Sequence, residues 1–226
     1  MCCIAALFKL SLLAADDESE WEFVKRIDHI DIYRRSLTGY DIDEFKGVRE
    51  DRVRLEILGA VLENIPNYVN WIDHLEESRI VAKDDEDHMI IYHRYKAIWP
   101  FYDRDCIAEV NIRRDYENGK FIIEINSIDR PLVPPKKRTV RIPLYEGLFV
   151  FEYVDREHTQ ETYMAKLDFG GVIPEWFCNL LSREIPYKTL KGLAEESLRK
   201  EYVKSAESSE LKRKIEESIE NGFLVE

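Results

Sequence analysis

The segment IWPFYDRDCIAEVNI, residues 98–112, contains the alternation that decides the fold. Cys106, Ala108 and Val110 lie two residues apart, and this period predicts a β-strand with one apolar face. Arg104 has the same parity, so its guanidinium, which is always charged, is directed toward that face. Either Arg104 ends the strand and reaches water, or the interior of the fold is not an ordinary core.

Similar runs along the chain predict an antiparallel sheet. Between residues 29 and 169, strand-like runs alternate with short polar turns, and the Asn-Gly pair at residues 118–119 is typical of a tight hairpin. Successive strands with short connections predict a curved meander of about seven to nine strands. Residues 21–26 are interpreted as a short helix before it, and the polar run at residues 43–55 as an edge strand.

Helical spacing occurs in two regions. Apolar residues between 57 and 77 recur every three or four positions, and Pro66 divides them into two short helices. After Gly170 and Gly171, an apolar stripe predicts a long C-terminal helix with a kink at Pro186. We therefore predict an α+β fold in which the curved sheet wraps around this helix and encloses an internal hydrophobic cavity.

A cavity would explain the position of Arg104. A hydrogen-bonded arginine is tolerated in such a wall, where it offers a fixed fork of donors to one polar ligand group. His93 alternates with Tyr95 on the neighbouring predicted strand and is expected to face the same interior. It is either a hydrogen-bonded core histidine or a ligand contact, and the sequence leaves both open.

The composition argues against several classes of protein. Lys and Arg number 33 against 45 Asp and Glu, which gives a net charge of -12. Because an acidic surface is repelled by phosphate, we expect no nucleic-acid partner. No Walker loop, dinucleotide fingerprint, kinase motif set or His-x-x-x-His pair occurs, so we expect no cofactor and no metal. The four cysteines predict neither a disulfide framework nor a zinc site.

The chain termini form separate segments. Residues 1–20 are apolar up to Ala14 and Ala15, but they lack a basic start and Lys9 interrupts them. Residues 1–15 are thus either a signal peptide, which would export the protein to the periplasm, or a frayed or surface-packed segment of a cytoplasmic protein. Residues 205–226 predict a C-terminal helical extension.

Three segments together resemble the START (StAR-related lipid-transfer) domain family, in the Bet v 1-like superfamily. They are WPFYDRDCIAEV (99–110), VRIPLYEGLFVFEYV (140–154) and LDFGGVIPEWFCNLL (167–181), and the likeness extends over residues 21–204. The resemblance implies a helix-grip fold around one lipid-sized tunnel. It also implies that the C-terminal helix and nearby loops act as a lid.

The resemblance also implies that Arg104 points into the tunnel. In this family the arginine often pairs with an acid on the preceding strand, whereas that strand here offers His93 and Tyr95. Arg104 is therefore a candidate for direct contact with an anionic or carbonyl head group. The predicted ligand-binding residues are His93, Tyr95, Arg104, Cys106, Ala108, Val110, Phe149, Phe151, Tyr163, Phe177, Leu180 and Leu181.

Three functions fit these features. The first is non-catalytic binding and transport, or sensing, of a lipid or other hydrophobic molecule, by a monomer that contacts membranes transiently. The second is a helix-grip enzyme of the cyclase/aromatase or hydrolase type, with Glu124, His93 and Tyr163 as acid–base candidates. The third is an interaction domain with a solid core. A cavity would separate the first two from the third.

Overall fold

The computed structural model describes residues 20–37, 39, 41–97 and 99–226. The candidate signal segment, residues 1–15, lies outside the described residues. Within the described residues, ten strands form one sheet. They are β1 (Glu22–Ile27), β2 (Ile30–Ser36), β3 (Asp43–Asp51), β4 (Leu75–Lys83), β5 (His88–Tyr95), β6 (Asp103–Asp115), β7 (Lys120–Ser127), β8 (Thr139–Arg141), β9 (Leu144–Tyr153) and β10 (Thr159–Asp168).

The sheet is antiparallel along its whole main path, whose order is β1-β2-β3-β10-β9-β7-β6-β5-β4. The short strand β8 pairs in parallel with the start of β6. From β4 to β10 the chain is the predicted meander, apart from β8. The first three strands then continue the sheet beyond β10.

Two expectations about the first strands were wrong. Residues 21–26 form most of β1 rather than a helix, because their backbone pairs with β2 and Phe23 packs edge-on against Tyr33. The third strand is not at an edge but lies between β2 and β10. The prediction took its charged residues as a sign of solvent exposure. Arg49 is instead buried, and its charge is neutralised by Glu161 on β10, with 2.8 Å between nitrogen and oxygen.

The helices lie before and after the meander. The first two are α1 (Leu55–Glu63) and a 3₁₀ helix (Ile65–Asn70) with Pro66 in its first turn, so two short helices form where the sequence predicts them. The C-terminal helices are α2 (Glu175–Ser182), α3 (Ile185–Ser197), α4 (Lys200–Glu207) and α5 (Glu210–Glu220). The predicted long helix is thus segmented, and Pro186 lies in the first turn of α3, where its missing N–H is tolerated.

Helix α3 packs closely on β3 and on the end of the 3₁₀ helix because two glycines leave room for it. At Gly47, on β3, a Cβ atom would come within 3.0 Å of both Leu190 and Pro186. At Gly192, on α3, a Cβ atom would overlap the carbonyl oxygen of Trp71. Close packing of this helix fixes the position of one wall of the interior. The sheet and the C-terminal helices together form a helix-grip fold.

The last two helices belong to the same core. Tyr202 and Ala206 of α4, with Leu211 and Ile215 of α5, are buried in the main hydrophobic cluster, and both helices pack on α1. None of the helices in the described part of the chain is long and apolar enough to cross a membrane.

We predict that Gly192→Ala lowers the free energy of unfolding by about 1–2 kcal/mol. Alanine improves helix propensity by about 1 kcal/mol, but the overlap of its Cβ atom with the Trp71 carbonyl oxygen costs about 2–3 kcal/mol, because backbone atoms cannot move aside cheaply. Gly59→Ala on α1 is the matched control, since its Cβ meets only the flexible end of Leu211. Urea unfolding of both variants checks this, and equal stabilities would contradict it.

Candidate functional site

A cavity of about 330 Å³ lies between the inner face of the sheet and helices α2 and α3. A single water needs only about 15 Å³, and ligand pockets range over about 300–1,000 Å³, so the interior is hollow on the scale of a small ligand. The walls come from β5, β6, β9 and β10, from the 3₁₀ helix, and from the loops before β6 and α2.

Most of the wall is apolar and aromatic. Phe149 and Tyr163 are cross-strand partners on β9 and β10, and their rings stack with centroids 4.2 Å apart. Phe101, from the loop before β6, stacks on Phe177 of α2 at 5.5 Å. Leu167 completes this side of the cavity from β10. Stacked rings keep the wall rigid, and they offer a ligand apolar surface in place of water.

Arg104 lies in the cavity wall and is only 6% exposed. Its Nε donates to the carbonyl of Phe169 at 3.2 Å, and its Nη2 donates to the carbonyl of Gly170 at the same distance. Its Nη1 donates to the carbonyl of Tyr102. No carboxylate of the described residues forms an ion pair with it. The guanidinium thus joins β6 to the segment between β10 and α2.

The segment that Arg104 holds needs glycine. Gly170 and Gly171 have φ angles of +65° and +74°, a backbone region that disfavours other residues. A Cβ at Gly170 would also come within 2.9 Å of Pro143 and 3.2 Å of the Arg141 carbonyl. The Gly-Gly pair therefore allows the chain to turn tightly beside the sheet and present its carbonyls to Arg104.

His93 and Tyr95 form the second polar group of the wall. They pair across β5 and β6 with Cys106 and Arg104 respectively. His93 Nδ1 lies 3.2 Å from the Tyr95 hydroxyl, while Nε2 is buried with no hydrogen-bond partner among the described residues. Burial lowers the pKa of His93 to about 4, so the ring is neutral at pH 7. Burial also raises the pKa of Tyr95 well above its usual range.

Tyr145 and Tyr163 form the third polar group. Their hydroxyl oxygens are 2.9 Å apart, and burial raises the pKa of Tyr163 to about 12 and that of Tyr145 well above its usual range. The Tyr145 hydroxyl has room because Gly147 lacks a Cβ atom, which would lie 2.8 Å from that hydroxyl. The sequence analysis missed Tyr145, although it shares the parity of the inward-facing Phe149 and so carried a usable signal.

The structure divides the predicted site residues into two groups. Cys106, Ala108, Val110 and Phe151 are buried on the inner face but lie in the solid core beyond the cavity wall. Parity correctly assigns these residues to the inner face. The cavity occupies only part of that face, however, and parity carries no information on this. The predicted residues that line the cavity are His93, Tyr95, Arg104, Phe149, Tyr163, Phe177, Leu180 and Leu181.

Among the residues that the structure describes, carboxylates lie at the rim of the cavity or outside it. Glu124 faces the other side of β7, where it pairs with Arg113, so it does not line the cavity. Asp73, at the rim, pairs with Lys188 at 2.6 Å. Glu184, also at the rim, pairs with Lys25 at 2.7 Å. Within the described part of the chain, no group of three or more His, Cys, Asp or Glu residues could hold a metal ion.

Comparison with other sequences identifies relatives of this chain. The START domain family model matches residues 4–197. An uncharacterized protein of Pseudomonas aeruginosa is 24% identical over 174 residues, which cover 77% of this chain and 85% of that protein. Human START domain-containing protein 10 is 25% identical over 142 residues, 62% of this chain. The chain spans 48% of that human relative.

Solved structures show the same fold. The STAR-related lipid transfer protein of Xanthomonas axonopodis superposes with a TM-score of 0.72 at 24% identity, covering 79% of this chain and 99% of that one. Human STARD10 superposes with a TM-score of 0.73 at 21% identity, covering 82% and 76%. Both confirm the helix-grip architecture. Since the family model also covers most of the sequence, this chain belongs to the START domain family.

Proposed function

We propose that the protein binds one lipid or other hydrophobic molecule in the cavity and transports or senses it, as a monomer and without catalysis. The observation that carries the proposal is the hollow, largely apolar interior of about 330 Å³. Transfer of ligand surface from water into this wall is favourable by about 25 cal/mol per Å². Relatives named StAR-related lipid transfer protein 7 and Ceramide transfer protein support it.

The wall chemistry supports carriage over catalysis. A general acid or base works best with a pKa near the working pH. Burial instead places the pKa of His93 at about 4 and that of Tyr163 at about 12. Glu124, the carboxylate candidate, lies outside the cavity. Apart from the charged Arg104, the buried part of the wall therefore combines apolar surface with neutral hydrogen-bonding groups.

We also propose that ligand entry requires movement of α2. This helix supplies Phe177, Leu180 and Leu181 to the wall, and it follows the Gly170–Gly171 turn. Breaking the bonds from Arg104 to the Phe169 and Gly170 carbonyls would free this turn. The helix and its preceding turn would then act as a lid.

The proposed membrane contact uses apolar residues beside this lid. Trp99, in the loop before β6, is 89% exposed, and Val172, in the loop before α2, is 97% exposed. Tyr102, at the end of the first loop, and Trp176, in the first turn of α2, are also exposed, while Phe101 and Ile173 of the two loops line the cavity. Because the net charge is -12, we propose docking on uncharged bilayers through these apolar side chains.

We predict that Leu181→Trp reduces ligand loading at least threefold, because the larger side chain fills part of the cavity. Leu198→Trp is the matched control, since Leu198 is 79% exposed and outside the wall. Native mass spectrometry after incubation with a total lipid extract of the expression host measures the loaded fraction. A wild-type protein that takes up no lipid would contradict the proposed function.

We predict that the double change Trp99→Ser and Val172→Ser slows transfer of radiolabelled hexadecan-1-ol between phosphatidylcholine vesicles at least fivefold. Loading should not change, because neither side chain lines the cavity. Leu198→Ser and Val225→Ser together remove comparable exposed apolar surface elsewhere and should leave the rate unchanged. If both double variants behave alike, the docking surface has been misassigned.

We predict that His93 makes the fold less stable as the pH falls. Its pKa is about 6.5 unfolded and about 4 folded, so below pH 6.5 the unfolded chain takes up a proton that the folded chain does not. Between pH 7 and pH 5, wild type should lose about 2 kcal/mol more unfolding free energy than His93→Gln. Urea unfolding at both pH values measures this difference, and equal losses would refute the neutral buried state.

A further inference from the structure

The cavity ends at a defined row of the sheet. Inward-facing residues of β9 and β10 form cross-strand pairs, in order along the two strands: Tyr145 with Leu167, Gly147 with Ala165, Phe149 with Tyr163, and Phe151 with Glu161. Phe149 and Tyr163 line the cavity. The next pair, Phe151 and Glu161, does not line it and is fully buried. Phe149 and Tyr163 are therefore the end wall of the cavity on these strands.

The end wall is backed by aromatic rings and by a buried ion pair. Phe149 stacks on Phe151 with centroids 5.9 Å apart, and Phe151 in turn lies 6.4 Å from Phe121. Glu161 pairs with the buried Arg49 at 2.8 Å. A ligand that passed the end wall would have to separate this pair and leave a buried charge uncompensated, which is strongly unfavourable. The cavity is thus closed at this end.

The other end of the cavity reaches solvent. Asp73 and Lys96 are exposed at its rim. Lys96 follows the residue that pairs with Arg104 at the start of β6. The row of Phe149, in contrast, crosses β6 at Ile112, near the end of that strand. A cavity with an open rim and a closed end wall admits an elongated molecule along the strands.

The volume limits what fits between the rim and the end wall. At about 15 Å³ for each water-sized group, a cavity of about 330 Å³ holds about 20 such groups. A lipid with one hexadecyl chain is of this size. A second chain of the same length would have to stay outside the cavity, where its apolar surface remains in water and gains nothing from burial.

We propose that the cavity takes a lipid with a single hydrocarbon chain, and that Phe149 and Tyr163 set the longest chain that is fully buried. This inference rests on the proposed function and specifies its ligand class. Each methylene group that enters the cavity strengthens binding about fourfold, because it leaves water. Beyond the limit set by the end wall, further methylene groups stay in solvent at the rim and add no affinity.

The first measurement compares lipids with one and with two chains. 1-Hexadecanoylglycerol and 1,2-dihexadecanoylglycerol are presented together from cyclodextrin at equal dissolved concentration, and native mass spectrometry measures the loaded fractions. We expect at least tenfold preference for the single-chain lipid, because the second chain finds no room in the cavity. Equal loading, or preference for the two-chain lipid, would overturn the inference.

The second measurement locates the length limit. Displacement of a bound fluorescent lipid, corrected for the cyclodextrin equilibrium, gives the affinity for each alkan-1-ol from decan-1-ol to tetracosan-1-ol. For wild type we expect the affinity to rise about fourfold per carbon and to level off at about 18 carbons. Phe149→Ala removes an aromatic ring from the end wall, and since cores collapse only partly, the limit should move to about 22 carbons.

Phe121→Ala is the matched control. Phe121 is fully buried in the same group of rings but does not line the cavity, so its removal should leave the limit of wild type unchanged. If either alanine variant does not fold, Phe149→Leu and Phe121→Leu repeat the comparison, with an expected shift of about two carbons for Phe149→Leu alone.

The outcomes separate the inference from the function on which it rests. A wild-type affinity that never levels off, an unchanged limit in the Phe149 variant, or an equal shift in the Phe121 variant would each overturn the inference. If host lipids load but those with two chains are preferred, or if no alkan-1-ol binds, the inference fails while the proposed function stands. If neither host lipids nor probes load, both fail.

Discussion

The hydrogen bonds from Arg104 to the Phe169 and Gly170 carbonyls connect the sheet to the segment that leads into the C-terminal helices. They join the start of β6, at the base of the meander, to the turn that leads into α2. A buried guanidinium without acceptors is strongly unfavourable, so the charge itself keeps this turn against the sheet. The position of α2, and therefore the closure of the cavity, depends on this contact. The main role of Arg104 is thus to hold the turn before α2 against β6.

The inner face of the sheet is used in two different ways along its length. In one part, Cys106 and Val110 pack into a core that includes residues of α1, and no ligand space remains. In the other part, α2 and α3 pack against β3 and β10, and aromatic rings such as Phe149 and Tyr163 line a cavity that remains between these helices and the sheet. Gly47 allows α3 to approach β3 closely, and Gly192 allows it to approach the backbone of Trp71.

The sequence predicted the meander and the inward direction of Arg104, because alternation reports which side of a strand is buried, and the resemblance to the START family implied the helix-grip fold. It did not predict how far each inward residue lies from the cavity, so Cys106 and Phe149 could not be told apart. Nor did it predict β1, whose pairing with β2 overrides local helical preference. The partner of Arg104 was also unpredictable, because backbone carbonyls leave no signature in a sequence.

The central claim is that this interior is a binding space closed by Arg104. The most direct measurement is a crystal structure of the protein purified without detergent and soaked with a brominated long-chain alcohol. The account predicts anomalous signal and continuous density in the cavity beside Phe149 and Tyr163, with Arg104 still bonded to the Phe169 carbonyl. Side chains that fill this space, with the guanidinium of Arg104 turned toward bulk water, would contradict it.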